Sequence, residues 1–401
     1  MKRVLSPFLS LFKSFLLLLI NGALFAYAMF QGGFVSWFLF YSVLVVSALT
    51  IVAILFSFRG IVVERTFSKQ DLYAADSTEV TITIKKRSIH PFFYVRIRDT
   101  VPNSLLDSNT IGSGALFFLS FKNELSFQYP ISNLPRGKHE FNEVELTLGD
   151  LFGFFQKSTR LKVHSSILVY PRLRDIGEWK VRTRRQGGEG TSISLSQSMD
   201  EELSIAGVRR YVPGDRLSSI DWKQSARSSS LMTKEFETFQ ETRFFLGLYS
   251  FVRVPDIDAY ERAVELAASF VNYFYTKSVS LGFVDYRSAP SVIPCEKQLD
   301  NYYSMYRKLA LAEMEDESYF ELERYRNAVP QGEMIVLITT TLSEEFVSLV
   351  QSLRISSDVR VCWTQAESEL STEERERLDS LRRNRVRVFQ FPNEEFNQSM
   401  I

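Results

Sequence analysis

The stretch that decides the architecture runs from Ser14 to Phe58, SFLLLLINGALFAYAMFQGGFVSWFLFYSVLVVSALTIVAILFSF. It holds no Asp, Glu, Lys, Arg or His; Lys13 is the last charge before it and Arg59 the first after it. One membrane-spanning helix takes about 20 apolar residues, so the run has room for two and a turn. Gln31-Gly32-Gly33 interrupts it near the middle, and a glycine pair favours a turn over continued helix. The reading is a transmembrane α-hairpin with spans over 14–30 and 35–57. Trp37 and Tyr41, close to the turn, suit a membrane–water interface. Lys2-Arg3 followed by apolar residues also resembles the start of a signal peptide, but the run is far too long for one and a second span follows at once.

Outward from the hairpin, charge sets orientation. Lys2, Arg3 and Lys13 precede the first span, Arg59, Arg65 and Lys69 follow the second, and the connecting turn is uncharged. The positive-inside rule places both termini in the cytoplasm of a multi-pass cell-membrane protein, with the lipid bilayer as its first partner. Cys295 and Cys362 lie in segments that read as α/β core, where a reduced buried thiol is expected. The 47 basic and 47 acidic residues cancel, so no overall field draws nucleic acid. His90, His139 and His164 are scattered without metal-ligand spacing.

About 340 residues follow the hairpin, enough for two domains. From Gly60 to Tyr170 apolar and polar residues alternate, as in Val80-Thr81-Ile82-Thr83-Ile84, Tyr94 to Arg98 and Val144 to Leu148. Pro91, Pro102-Asn103, Pro135-Arg136-Gly137 and Gly149-Asp150 punctuate them. Short half-buried strands with turns between them predict an antiparallel β-sandwich over 60–170. Residues 171–205, with Arg182, Arg184, Arg185, Gly187, Gly188 and Gly190, read as a linker or long loop. The glycine run lacks the Gly-Lys-Ser/Thr ending of a phosphate loop.

In 206–401 the period changes. Phe244 to Tyr249, Val279 to Val284, Met334 to Ile338, Val359 to Trp363 and Val386 to Phe389 read as buried strands. Helical spacing falls between them: a helix opened by a capping box at Asp258-Ala259-Tyr260-Glu261, a helical stretch in one or two parts over 296–328, and helices near 343–354 and 371–383. Alternating strands and helices predict a doubly wound α/β domain with a mostly parallel sheet.

The densest polar pattern is Gly207 to Arg227. Pro213-Gly214-Asp215 is a turn, and Asp215 or Ser218 can cap a following helical turn. Two readings stand side by side. In one, Arg210, Asp215, Asp221 and Arg227 form ion pairs that lock the segment, with Ile220, Trp222 and Ala226 packed between them as an internal scaffold. In the other, Arg210, Lys223 and Arg227, with Asp215 and Asp221 beside them, form an anion or partner site. Catalysis needs a nucleophile beside a base; Ser218 and Ser225 are present, but no histidine is near.

These residues carry a resemblance. Arg210-Tyr211-Val212-Pro213-Gly214-Asp215, then Ser218 to Arg227, looks like the signature of the domain-of-unknown-function family 58, the YeaD-like membrane proteins. Leu134-Pro135-Arg136-Gly137, Gly149-Asp150-Leu151-Phe152-Gly153 and Val169-Tyr170-Pro171 resemble further family patterns; Leu151 departs from a usual proline. The resemblance spans nearly the whole chain. It implies a C-terminal domain similar to the von Willebrand factor A fold and no established enzymatic activity. It also implies a role as membrane-bound adaptor for a MoxR-type AAA+ ATPase, with a transglutaminase-like membrane protein as a further partner. That fold often binds Mg²⁺ through Asp-x-Ser-x-Ser, and here Leu248-Tyr249-Ser250-Phe251-Val252 keeps only Ser250, so no metal and no cofactor are expected. Asp285 reads as a turn or cap residue. The expectation is a non-enzymatic, membrane-tethered interaction protein. The alternatives are an envelope-associated enzyme or regulatory subunit using 210–227, and a receptor binding a ligand on the sandwich.

Overall fold

The computed structural model describes the chain apart from residues 1, 55–57, 59, 88–91, 106–108, 111, 151–154, 178–179, 184–190, 195–204, 237–242, 297, 326–330, 366–370, 392–398 and 401. Arg184, Arg185, Gly187, Gly188, Gly190, His90, Leu151 and Phe152 lie outside the described residues. The chain divides into two units, Met1–Tyr170 and Pro171–Ile401.

The first unit opens with helices α1 (Lys2–Gln31) and α2 (Phe34–Ile54). Gly32 and Gly33, at φ 65° and 88°, make the turn between them in a conformation that only glycine adopts freely. α1 continues through Lys13 to Lys2, well beyond the expected span, because a single lysine does not break a helix. Lys13–Gln31 and Phe34–Val52 are long and apolar enough to cross a membrane. Their large side chains point outward: Leu18 is 71 % exposed and Phe30 95 %. Between the helices, Asn21 donates its side-chain N–H to the Ser47 hydroxyl at 2.7 Å.

Among the described residues nine strands follow: β1 (Ile61–Phe67), β2 (Leu72–Tyr73), β3 (Thr78–Lys86), β4 (Phe92–Asp99), β5 (Asn109–Thr110), β6 (Gly114–Ser120), β7 (Glu124–Ser132), β8 (Gly137–Gly149) and β9 (Gln156–Tyr170). They form two sheets, in the orders β1-β3-β7-β5 and β2-β9-β8-β4-β6. Every pair is antiparallel except β2 with β9. The alternating apolar residues of both sheets meet in one core, with Ile82 of β3, Val95 of β4, Ile131 of β7 and Leu146 of β8 fully buried. An ion pair is locked inside. Arg65 donates Nε to Asp99 Oδ2 at 3.0 Å and Nη1 to the Val163 carbonyl at 2.8 Å, and its guanidinium stacks over the Phe141 ring. The Tyr129 hydroxyl donates to Asp99 Oδ2 at 2.6 Å.

In the second unit, β10 (Lys180–Thr183) and β11 (Thr191–Ser194) pair as an antiparallel ribbon inside the segment expected to be a loop. Residues before it already belong to this unit: Ile176 is 2 % exposed in its core, and Arg174 bonds Glu265 at 2.9 Å. Then come β12 (Ile205–Arg210), α3 (Trp222–Ser228), β13 (Met232–Phe236), β14 (Phe244–Tyr249), β15 (Phe251–Val252), α4 (Ile257–Thr276), β16 (Leu281–Tyr286), β17 (Ser291–Glu296) and α5 (Leu299–Ala310). The last elements are β18 (Glu315–Asp316), α6 (Leu322–Tyr325), β19 (Met334–Thr339), α7 (Glu344–Arg354), β20 (Asp358–Trp363), α8 (Thr372–Arg383), β21 (Arg387–Gln390) and β22 (Ser399–Met400).

Seven of these strands form one sheet, ordered β17-β16-β14-β19-β20-β21-β22. Its interior is parallel, and only β17 and β22, at the edges, run antiparallel. Side chains of β14 alternate between two cores. Phe244, Leu246 and Leu248 pack with α4, whereas Phe245 and Tyr249 pack with residues of α7 and α8, so helices cover both faces. Two expectations need correction. The cap of α4 is Asp256, which accepts from Ala259 N; Asp258 sits inside the helix. The helical stretch over 296–328 falls in two parts, α5 ending at Ala310 and α6 following β18. Asp285 lies within β16 and is 1 % exposed, so it neither turns nor caps.

Candidate functional site

The polar motif folds as a small module on an antiparallel ribbon. β12 pairs β13, Arg210 facing Met232 and Val208 facing Lys234. Residues 211–231 between them fold back: Tyr211 N donates to the Leu231 carbonyl at 2.9 Å and Asp221 N to the Met232 carbonyl at 2.8 Å. Asp221 caps α3, accepting from Gln224 N at 3.0 Å. Ser225 donates to the Asp221 carbonyl at 2.7 Å and accepts from Met232 N at 2.8 Å. Its hydroxyl is therefore spent on the turn and not presented as a nucleophile.

The ion pairs differ from expectation. The partner of Asp215 is Arg209, not Arg210. Asp215 also accepts from Val212 N at 3.0 Å, closing the Pro213-Gly214 turn, so it caps no helix. The Arg209 hydrogen bonds, aided by Val212 N, hold the Asp215 carboxyl down to about 2. Asp221 makes no ion pair among the described residues. Arg210, Lys223 and Arg227 are exposed, and none has a carboxylate partner among the described residues. The internal-scaffold reading also needs correction: Ile220 is 5 % exposed, but Trp222 is 68 % exposed, Leu217 71 % and Val212 55 %. Two carboxylates are thus used internally, while three cations lack a carboxylate among the described residues on a module that also presents an indole and two aliphatic side chains. Arg209 and the outward Trp222 escaped the sequence reading. The signal available was a helix of seven residues, too short to bury both faces of its apolar residues.

A second polar cluster lies at the C-terminal ends of β14 and β16. Leu248 and Val252 are buried apolar residues, and Ser250 shares its hydroxyl with Tyr260 at 2.8 Å. Glu317, 6 % exposed, accepts from Arg253 Nε at 2.6 Å, and Arg253 Nη2 reaches Glu345 at 3.3 Å. Asp285 lies beside Leu248 in the sheet, 2.7 Å from Arg287 Nε. Burial outweighs that arginine and pushes the Asp285 carboxyl up to about 6. Ser288 donates its N–H to Glu315 at 2.6 Å and its hydroxyl to the same oxygen. Arginine guanidinium groups, fixed cations that match carboxylates, face Glu317, Glu345 and Asp285 of this cluster. Among the described residues no group of three or more His, Cys, Asp or Glu is arranged to hold a metal ion.

Comparison with known proteins bears on the module directly. Residues 207–387 match the family model "Protein of unknown function DUF58", which begins at the β12–β13 ribbon. The "Uncharacterized protein YeaD" of Bacillus subtilis (strain 168) is 30 % identical over 382 residues, covering 94 % of each chain. Among solved structures, a CARDB domain from Pyrococcus furiosus covers 27 % of this chain and 91 % of its own, at 11 % identity and TM-score 0.19. A protein of unknown function from Porphyromonas gingivalis W83 covers 40 % and 74 %, at 11 % identity and TM-score 0.21. Neither structural likeness is close enough to speak to fold or function. With a relative at this identity along almost its whole length, and the family model beginning at its signature module, the chain belongs to the DUF58 family of proteins of unknown function.

Proposed function

We propose that the protein is a membrane-tethered, non-enzymatic adaptor that engages a MoxR-type AAA+ ATPase in the cytoplasm, with a transglutaminase-like membrane protein as a further partner. In this reading the α1–α2 hairpin spans the cell membrane with both termini cytoplasmic. The β-strand unit is a sandwich, and the α/β unit is a von Willebrand factor A-like domain whose metal position is degenerate at Leu248, Ser250 and Val252. The observation that carries the reading is the composition of the 205–236 module: exposed Trp222, Leu217 and Val212 beside Arg210, Lys223 and Arg227, which have no carboxylate partner among the described residues. Aromatic and arginine side chains dominate binding energy at protein interfaces. A partner with an apolar pocket rimmed by acidic side chains fits this surface.

The test is photo-crosslinking from position 222 in intact cells. Recovery of an AAA+ ATPase, lost in Arg210→Glu/Arg227→Glu chains that keep their fold, is the expected outcome. Crosslinks only to lipid or to unrelated envelope proteins sink the reading.

A second reading, an envelope-associated enzyme or regulatory subunit, draws on Asp285. A buried carboxyl pushed up to about 6 beside Ser288 and Glu315, at the carboxyl ends of parallel strands, has the character of acid–base machinery. It predicts that Asp285→Asn abolishes function without touching the partner crosslink.

A further inference from the structure

We propose that the end of β6 and the turn after it, Leu119-Ser120-Phe121-Lys122, form a second membrane contact: a short apolar tip that inserts into an anionic lipid surface and seats the β-strand unit against it. The proposal rests on the reading of α1 and α2 as a membrane anchor.

Position is the first argument. α2 ends at Ile54, and Phe58 already packs on the β core. Four residues of fully extended chain reach at most about 14 Å, so the β unit begins at the depth of the headgroups wherever α2 leaves the hydrocarbon. Phe58 leads straight into the sheet: its carbonyl accepts from Ile61 N at 3.3 Å. From there two backbone bonds lead to the turn. Arg87 N donates to the Gly60 carbonyl at 3.2 Å, and its neighbour Lys86 N donates to the Asn123 carbonyl at 2.9 Å. Gly60, where the hairpin enters the sheet, and Asn123, at the foot of the turn, are therefore tied to consecutive residues. Both lie at the same end of the unit.

Chemistry is the second argument. β6 is the edge strand of its sheet. At its end Phe121 is 70 % exposed, Phe118 59 % and Leu119 48 %. Leu119 holds φ 40°, in the left-handed region that a leucine rarely adopts. Apolar side chains gathered at a strand end on a water-facing unit mark a binding surface. The charges around them have one sign left over. Lys85 bonds Glu64 at 2.7 Å and faces Glu124 across the sheet, so these two acids share one lysine against the three cations that follow. Lys122, Arg87 and Lys157 are exposed without a carboxylate partner among the described residues. The Lys157 ammonium lies 5.8 Å from the Phe58 ring, at the exit of the hairpin. Apolar side chains flanked by lysine and arginine are what an interfacial segment presents to phosphate headgroups. A folded protein partner would need no such placement at the hairpin exit, whereas lipid is already there.

The full chain is reconstituted in vesicles of phosphatidylcholine and phosphatidylglycerol, with Cys295→Ser throughout and one fluorescent label placed in turn at Phe121→Cys, Val45→Cys and Lys69→Cys. Lipids carry a nitroxide near the glycerol or near the chain end. Expected is loss of emission at 121 from the shallow nitroxide, loss at 45 from the deep one, and none at 69. In chains with Arg87→Glu and Lys122→Glu, at least half of the quenching at 121 disappears. Quenching at 45 without quenching at 121 overturns the proposal and leaves the anchor standing. No quenching at 45 removes the anchor reading and the proposal with it. Equal quenching at 121 and 69 means the whole unit lies on the surface, which overturns the specific tip. A label at 121 that is dark to lipid in vesicles but shielded from aqueous quencher in native membranes assigns the tip to a protein partner, and the proposal fails.

Discussion

Arg209 and Asp215 meet as a fork on a fork, Nη1 to Oδ2 and Nη2 to Oδ1, both at 2.8 Å. The pair closes the turn on which the exposed face of the module depends. With its pKa lowered, Asp215 contributes to closure above the ordinary carboxylate pKa, and the contribution is lost as pH falls from about 4 through about 2. Carboxyl NMR is expected to give a midpoint near 2 for Asp215 in the native chain, moving towards the ordinary value in Arg209→Met. Amide exchange at Val212 rises in Arg209→Met and stays unchanged in Arg210→Met.

Asp99→Ala leaves the Arg65 guanidinium buried without its carboxylate. Breaking a buried pair in this way costs about 3–5 kcal/mol, read as the loss of protection of the β1 and β8 amides in hydrogen exchange. Tyr129→Phe removes one hydrogen bond to the same carboxylate and costs about 1.5–3 kcal/mol.

A methyl group on Gly282, in β16 beside the edge strand β17, would collide with the Phe245 ring. Overpacking of this kind costs about 1–3 kcal/mol. Gly282→Ala is expected to lower the midpoint of urea unfolding of the α/β unit, and Phe245→Leu, which destabilises alone, to recover part of the loss in the double variant. A fully additive pair of losses refutes the contact.

For Asp285 the sign is opposite to that of Asp215. Its folded pKa is raised, so the native chain holds the proton more tightly, and stability present below the ordinary carboxylate pKa is lost as pH rises towards about 6. The thermal midpoint of Asp285→Asn relative to the native chain is expected to climb between pH 4 and 6.5 and to level off above. A flat difference across that range shows that Arg287 keeps the carboxylate ionised throughout.

Much of the fold was legible because composition and period are coarse signals. An uncharged run broken by Gly32-Gly33 leaves few alternatives, and the change from alternation at Val80–Ile84 to continuous apolar strands at Met334–Ile338 marks the change of unit. What escaped was decided at single positions. Asp256 and Asp258 are equally good caps on paper, and only the start of α4 chooses between them. β17 contains Pro294, which reads as a strand breaker, yet an edge strand tolerates it because one side carries no ladder. Adjacent arginines on a strand point to opposite faces, so Arg209 and Arg210 share a composition but not a role. Asp285 followed an apolar strand and looked like its end. The sheet continues one residue further, and that residue turns a surface carboxyl into a buried one.

The bonds of Arg65 also fix an order of events. Asp99 is synthesised 34 residues after Arg65, and Val163 98 residues after it. Until β9 has emerged, the guanidinium can reach Asp99 but lacks the Val163 carbonyl that completes its bonds, and the two sheets cannot close fully over it. The hairpin, whose Asn21–Ser47 bond joins residues only 26 apart, is complete long before. During synthesis the chain therefore holds an assembled hairpin and an open, charged sheet precursor side by side, and the β unit closes in one late step when its last strand arrives.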